Sequence, residues 1–237
     1  SECNNPDPMA FYQTNHFKIY SNPGACVYGW YLEYYFCRGY VEIYDAEYSG
    51  KFYTIVKKYN PLTQILEDEL IESKNIVNIN SKRGMGSGGS TDKIFYKNFP
   101  MATKINIMGD PINITESTMP HEVQHLVTSV ILNRLSSLWA EEGISVNSES
   151  QDIKNYFDSL VLEHLRTGRM LNLDILFEIR EYPQDVLPLY TQGYSVTEYL
   201  LKLGECIEKC KGKKRFYNFL ILYFPLKFSL NHCILNR

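Results

Sequence analysis

His121-Glu122-Val123-Gln124-His125, followed by Trp139-Ala140-Glu141-Glu142-Gly143, decides how the second half of the chain is read. Two histidines four residues apart lie on one face of a helix, one turn from each other and within reach of a single metal ion. Glu122 leans to the same side, so it can touch a water on that ion without displacing a ligand. Thr115-Glu116-Ser117-Thr118-Met119-Pro120 combines hydroxyl caps, an acid and a proline, and predicts a helix start. Leu126, Val127, Val130, Ile131 and Leu135 form an apolar stripe, which predicts that this helix is buried against the rest of its lobe.

The expected ion is Zn²⁺, which takes three protein ligands in catalytic sites and leaves a fourth position to water. Glu142 is the natural third ligand. It lies 17 residues after His125, enough chain for the helix to end and the next to return antiparallel. Glu141 is its rival, but the Glu-Gly pair points to Glu142. Trp139 would anchor the second helix, and Gly143 would let backbones approach closely.

Working back toward the N-terminus, Phe17-Lys18-Ile19-Tyr20 alternates and is stopped by Ser21-Asn22-Pro23-Gly24, which predicts a strand and a turn. Residues 1–15 are polar and predict a loose leading segment. Aromatic and β-branched residues dominate from Cys26 to Lys58. They predict strands, with helix admitted around Tyr31, Tyr34, Tyr35 and Tyr44, which do not alternate. Leu62, Ile65, Leu66 and Leu70 predict a short amphipathic helix over Pro61–Glu72. Arg83-Gly84-Met85-Gly86-Ser87-Gly88-Gly89-Ser90 predicts a mobile surface loop. It is not a phosphate loop, because no GK[ST] ends it. Ile94–Tyr96 and Lys104–Met108 read as strands, the second stopped by Gly109-Asp110-Pro111.

Beyond Pro111 helical periodicity takes over. The expected fold class is α+β: a β-rich N-terminal lobe over residues 1–112 with a small mixed sheet, and a mostly α-helical lobe over 113–237 that carries both zinc motifs. The change of character falls near residues 110–114. In the helical half, Ile153, Tyr156, Phe157, Leu160, Val161 and Leu165 mark an amphipathic helix ending at Gly168, with His164 as a structural residue. Phe216 to Leu226 is an apolar run expected to pack at the base of the helical lobe. His16 and His232 have no ligand-like neighbours.

A net charge of −3 argues against a nucleic-acid partner, and the one basic run, Lys211-Gly212-Lys213-Lys214-Arg215, reads as a solvated helix turn. No apolar run reaches 18 residues, so no transmembrane helix is expected. Ser1-Glu2-Cys3-Asn4-Asn5-Pro6 reads as the start of a mature chain whose signal peptide has been removed. Six cysteines, none in a CxxC, point to an oxidising compartment and to disulfides of undeducible connectivity. The expected location is secreted, cell-surface or periplasmic. Nothing in the pattern indicates an oligomeric state.

His121-Glu122-x-x-His125 followed by Trp139-x-x-Glu142-Gly143-Ile144-Ser145 resembles the gluzincin metallopeptidases of clan MA, which include thermolysin-like and aminopeptidase N-type enzymes. The pattern H-E-x-Q-H…W-x-x-E-G-[IL]-S-x-x-x-[SA]-E is also similar to the hyicolysin-like and peptidase MA-like families. The resemblance implies a thermolysin-like catalytic core with the cleft between sheet and helical lobe. It implies hydrolysis of a peptide or protein substrate by a zinc-activated water, with Glu122 as general base. Glu149 occupies the family's acidic position seven residues after the third ligand. It is either an orienting partner of a ligand imidazole or a plain surface glutamate.

Tyr190-Thr191-Gln192-Gly193, continuing through Leu200 to Gly204, is similar to the Y-x-[KQ]-G helix of aminopeptidase N-type enzymes, whose opening tyrosine stabilises the oxyanion. Carried over, that residue is Tyr190. Tyr194 is the fallback, its plainer reading being a core aromatic. The resemblance covers about residues 104–205. It departs from aminopeptidase N in a His125–Glu142 spacing one residue shorter and in lacking G-[AG]-M-E-N, which favours an endopeptidase. Residues 1–103 resemble no family. Two rivals stand beside this reading: a catalytically silent zinc-binding or adhesion module, marked by metal without turnover, and a non-peptidase hydrolase, marked by cleavage of other esters or amides.

Overall fold

A computed structural model describes residues 10–21, 25–43, 52–73, 75–96, 99–132 and 137–211. The elements run β1 (Ala10–Gln13), β2 (Phe17–Ser21), α1 (Ala25–Ile43), β3 (Phe52–Asn60), β4 (Ile65–Ser73), β5 (Asn75–Ser81), β6 (Gly88–Tyr96), β7 (Phe99–Gly109) and α2 (Pro111–Asn113). A π-helical turn (Ile114–Thr118) leads into α3 (Met119–Leu132), followed by α4 (Leu138–Asn147), α5 (Gln151–Thr167), α6 (Leu173–Glu178) and α7 (Leu187–Lys211). The class is α+β. The change of character near residues 110–114 is the passage from β7 to α2. The chain divides into two compact units: Ser1–Arg134 with Ser148–Ser150, and Leu135–Asn147 with Gln151–Arg237.

The first unit is built on a five-stranded mixed sheet in the order β1-β2-β5-β7-β6. β2, β5 and β7 run parallel; β1 and β6 are antiparallel edges. Alternation sends Phe17, Ile19, Val77, Ile79, Ile105 and Ile107 to one face, where each is at most 3% exposed. That face packs with Tyr28, Leu32 and Phe36 of α1 and with Val123, Leu126, Val127 and Val130 of α3.

Much of the region from Cys26 to Lys58 corrects the strand expectation. Ala25–Ile43 is one 19-residue helix. Tyr28, Leu32 and Phe36 recur every fourth residue and are buried, each burial stabilising by about 1.5–3 kcal/mol. Trp30 stacks on Tyr34 and Tyr31 on Tyr35, also four apart, so aromatic residues with high strand propensity are spent on helix-surface pairs. Within the leading segment expected to be loose, Ala10–Gln13 is strand β1, paired with β2.

The helix expected over Pro61–Glu72 is a turn and a strand instead. β3 and β4 form an antiparallel hairpin. Asn60 Oδ1 accepts from Leu62 N at 2.9 Å, Gln64 N donates to Asn60 O at 2.8 Å, and Gln64 sits at φ 54°. A proline followed by a left-handed residue reverses the chain before a helix can propagate. Leu62 (93% exposed), Ile65 and Leu66 face solvent, so their helical spacing marks no core face.

The predicted helix start also moves. Asp110 is the N-cap, accepting from Ile112 N at 3.1 Å, and Pro111 takes the first turn. Backbone hydrogen bonds from Gly84 and Ile112 hold the Asp110 carboxyl below the usual carboxylate range. Pro120, inside the continued helix, has no N–H for the Glu116 carbonyl. Ser150 N donates to that carbonyl instead, at 3.0 Å, and Tyr35 Oη donates to Thr115 O at 2.6 Å. Ser148 Oγ donates to Pro120 O at 3.0 Å. The segment after α4 is thereby tied to the start of α3.

In the second unit, α4 and α7 cross where two glycines meet. A Cβ on Gly143 would stand 2.1 Å from Gly193 O, and one on Gly193 would stand 2.4 Å from Trp139 O. Asn147 Nδ2 closes the crossing, donating to Gly143 O and Thr197 Oγ1, each at 2.8 Å. Trp139, Ala140, Leu176 and Leu189 form one apolar cluster; Val146, Phe157, Leu160 and Tyr194 form another. Tyr194 donates to Asp158 Oδ1 at 3.0 Å, and burial together with that bond pushes its phenol pKa up. His164 is fully buried, with neither ring nitrogen hydrogen-bonded.

Among the described residues no helix is long and apolar enough to cross a membrane. Cys26 is disulfide-bonded and Cys37 is a free, exposed thiol. Residues 1–9 and 212–237, with most of the basic run, Phe216–Leu226 and His232, lie outside the described residues, as do the side chains of Cys206 and Cys210.

Candidate metal centre

Helix geometry alone brings His121 and His125 together. Their ring centroids are 4.9 Å apart on α3, with the planes at 75°. His125 is buried, while the His121 side chain is 12% exposed. His121 Nδ1 lies 2.8 Å from Glu149 Oε1, and Ser117 Oγ donates to Glu149 Oε2. A carboxylate only accepts, so Nδ1 is the donor, and in the neutral form of the ring Nε2 would hold the lone pair. Glu149 is therefore seated in the first unit by the same segment that satisfies the Glu116 and Pro120 carbonyls.

Glu122 is 5% exposed and rests on the β6 edge strand. Thr91 Oγ1 lies 2.5 Å from Glu122 Oε2 and 3.1 Å from Glu122 O. The bond to the carboxylate is charge-assisted and is the stronger of the two. Gly89 forms the other wall: a Cβ there would stand 2.5 Å from Glu122 Oε1 and 2.7 Å from Cγ. Gly88-Gly89-Ser90 is thus the start of a strand and a seat for Glu122, not the end of a mobile loop.

Gly89→Ala therefore pushes on a movable carboxylate rather than on backbone. On the sequence-based expectation that Glu122 is a general base, the expected result is a normal melting temperature with peptide cleavage down by about 10²-fold, the loss that a 1 Å misplacement can cause. Thermal melts beside kinetics check it; equal loss of both would place Gly89 in folding instead.

In the second unit Glu142 is 1% exposed, and Tyr182 Oη donates to its Oε1. Its neighbour Glu141 is also buried. Tyr190 is half-buried against Val146, Phe157, Leu160 and Tyr194. His121, His125 and Glu142 are a group that could hold a metal ion. Two imidazoles and one carboxylate are a donor set that zinc accepts.

Sequence reasoning missed Gly89, Thr91 and Tyr182. Gly89 sat in a glycine-rich run whose composition signals a loop. Thr91 lies 31 residues before Glu122 and in no motif. Tyr182 is one of 19 tyrosines, in an irregular stretch with no periodicity. The chain matches no protein-family model, and no curated protein matches it.

Proposed function

We propose that the chain is a secreted zinc-dependent metallopeptidase with a thermolysin-like catalytic core, cleaving within peptides. The observation that carries the reading is the pairing of a possible His121–His125–Glu142 metal group with a buried glutamate, Glu122, next to the first ligand. Bound zinc supplies Lewis acidity, polarising a carbonyl and making water a usable nucleophile near neutral pH. His121, held at Nδ1 by Glu149, presents Nε2; His125 and Glu142 complete the ligand set. Glu122 takes the water proton on its carboxylate and returns it to the leaving amine. Thr91 and Gly89 set the carboxylate's direction for both transfers. The phenol of Tyr190 donates to the carbonyl oxygen that becomes anionic. The Cys26 disulfide supports an oxidising compartment.

The test is metal analysis of the purified protein together with mass spectrometry of N-terminally blocked peptides. The expected result is bound zinc, internal cleavage, and loss of cleavage on chelation that added zinc restores. Zinc should also raise thermal stability, by about 2.7 kcal/mol at a hundredfold excess over Kd. A protein that takes up no zinc sinks the proposal. Zinc uptake without cleavage of any peptide favours the silent zinc-binding module.

A further inference from the structure

Glu142 is almost fully buried. A carboxylate at such depth needs hydrogen bonds to its oxygens. Its terminal torsion is of the broad, two-fold kind, so nothing intrinsic to the side chain sets the plane of the oxygens. Tyr182 is a donor to it from the same unit, its Oη bonded to Glu142 Oε1. Tyr182 belongs to neither apolar cluster of its unit, and 54% of it is exposed. Its ring is not there to fill a core, and its hydroxyl is the part that is engaged.

The donor's chemistry matters as much as its position. A phenol is neutral, so it orients the carboxylate without cancelling the negative charge that attracts a dication. Lysine or arginine at the same place would pin the carboxylate and neutralise it together. Tyr182 lies between α6 and α7, just before Pro183, in a stretch held from outside by the Arg169 Nη2–Asp185 Oδ2 ion pair at 2.7 Å.

We infer that Tyr182 is a positioning residue for metal binding, fixing the rotation of the Glu142 carboxylate through Oε1. The inference rests on the zinc centre proposed above.

The experiment is a competition titration of zinc into metal-free protein against a chromophoric chelator. Wild type, Tyr182→Phe, Tyr190→Phe and Arg169→Ala are compared, with circular dichroism to establish that each is folded. Tyr182→Phe is expected to bind zinc about 10-fold more weakly, as loss of a partner behind a ligand typically does. The cobalt-loaded Tyr182→Phe protein should also show a shifted visible spectrum, because the carboxylate loses the bond that holds Oε1. Tyr190→Phe should keep wild-type affinity. Arg169→Ala loosens the same stretch without touching the phenol, and should keep it too. Equal affinity of Tyr182→Phe and wild type overturns the inference and leaves the zinc centre standing. So does an Arg169→Ala protein weakened as much as Tyr182→Phe, since loop order would then set the affinity. A wild type that takes no zinc overturns both.

Discussion

Glu122→Gln is expected to lower peptide cleavage by about 10²–10⁴-fold while zinc content stays at the wild-type level. Glutamine has the shape of glutamate, and shape is what the seat tests. The Gly89 wall leaves no room for a larger group, and the Thr91 hydroxyl can donate to an amide oxygen as it does to Glu122 Oε2. The substitution therefore leaves α3, His121 and His125 where they are, and removes only the ability to take and return a proton. Kinetics on a blocked peptide and metal analysis of the same sample check both halves. Unchanged cleavage would sink the assignment of Glu122 as the base. Loss of zinc along with cleavage would show that Glu122 acts on metal binding rather than on proton transfer.

Gly143→Ala should cost the helical unit more than about 4 kcal/mol, the range reserved for overpacking or backbone strain in a core. The added methyl would meet Gly193 O at 2.1 Å and Gly193 C at 2.3 Å, both backbone atoms with no rotamer to retreat into. α4 and α7 must then separate. That breaks the Asn147 bonds to Gly143 O and Thr197 Oγ1. Denaturant melts followed by circular dichroism measure the loss. Gly193→Ala is expected to behave alike, through Trp139 O at 2.4 Å. A melting curve unchanged by either substitution would show that this crossing is not held so closely. The contrast with Gly89→Ala is physical: one glycine faces backbone that cannot move, the other a side chain that can.

How legible the fold was depended on how local its causes are. The strands at Phe17–Tyr20 and Lys104–Met108 announce themselves because one face is buried and the other is not, and alternation records that directly. The helix Ala25–Ile43 was obscured because aromatic residues favour strands on average. Here they serve as a buried stripe and as stacked pairs one turn apart. The opposite error arose at Pro61–Glu72, where helical spacing of leucine and isoleucine met no core. The turn at Asn60–Gln64 and pairing with the adjacent strand β3 decided the outcome. Even the start of the helix that carries His121 and His125 was shifted, from the Thr115–Pro120 hydroxyls to Asp110. Pro120 could remain inside because Ser150 and Tyr35 serve the carbonyls around it.

By itself, the sequence determined the local part of the candidate site. Four-residue spacing on a helix places His121 and His125 on one face and Glu122 beside them, because 3.6 residues make a turn whatever surrounds it. It also marked Gly143 as a place of close approach. Which groups hold those side chains was decided only in three dimensions. Glu149 reaches His121 because residues 148–150 fold back on α3. Gly89 and Thr91 reach Glu122 because β6 pairs antiparallel to β7 at the edge of the sheet. Tyr182 reaches Glu142 from an irregular stretch 40 residues downstream. Helix spacing is a property of neighbouring residues and can be counted along the chain. A hydrogen bond between residues this distant exists only once the chain has folded, and no period in the sequence encodes it.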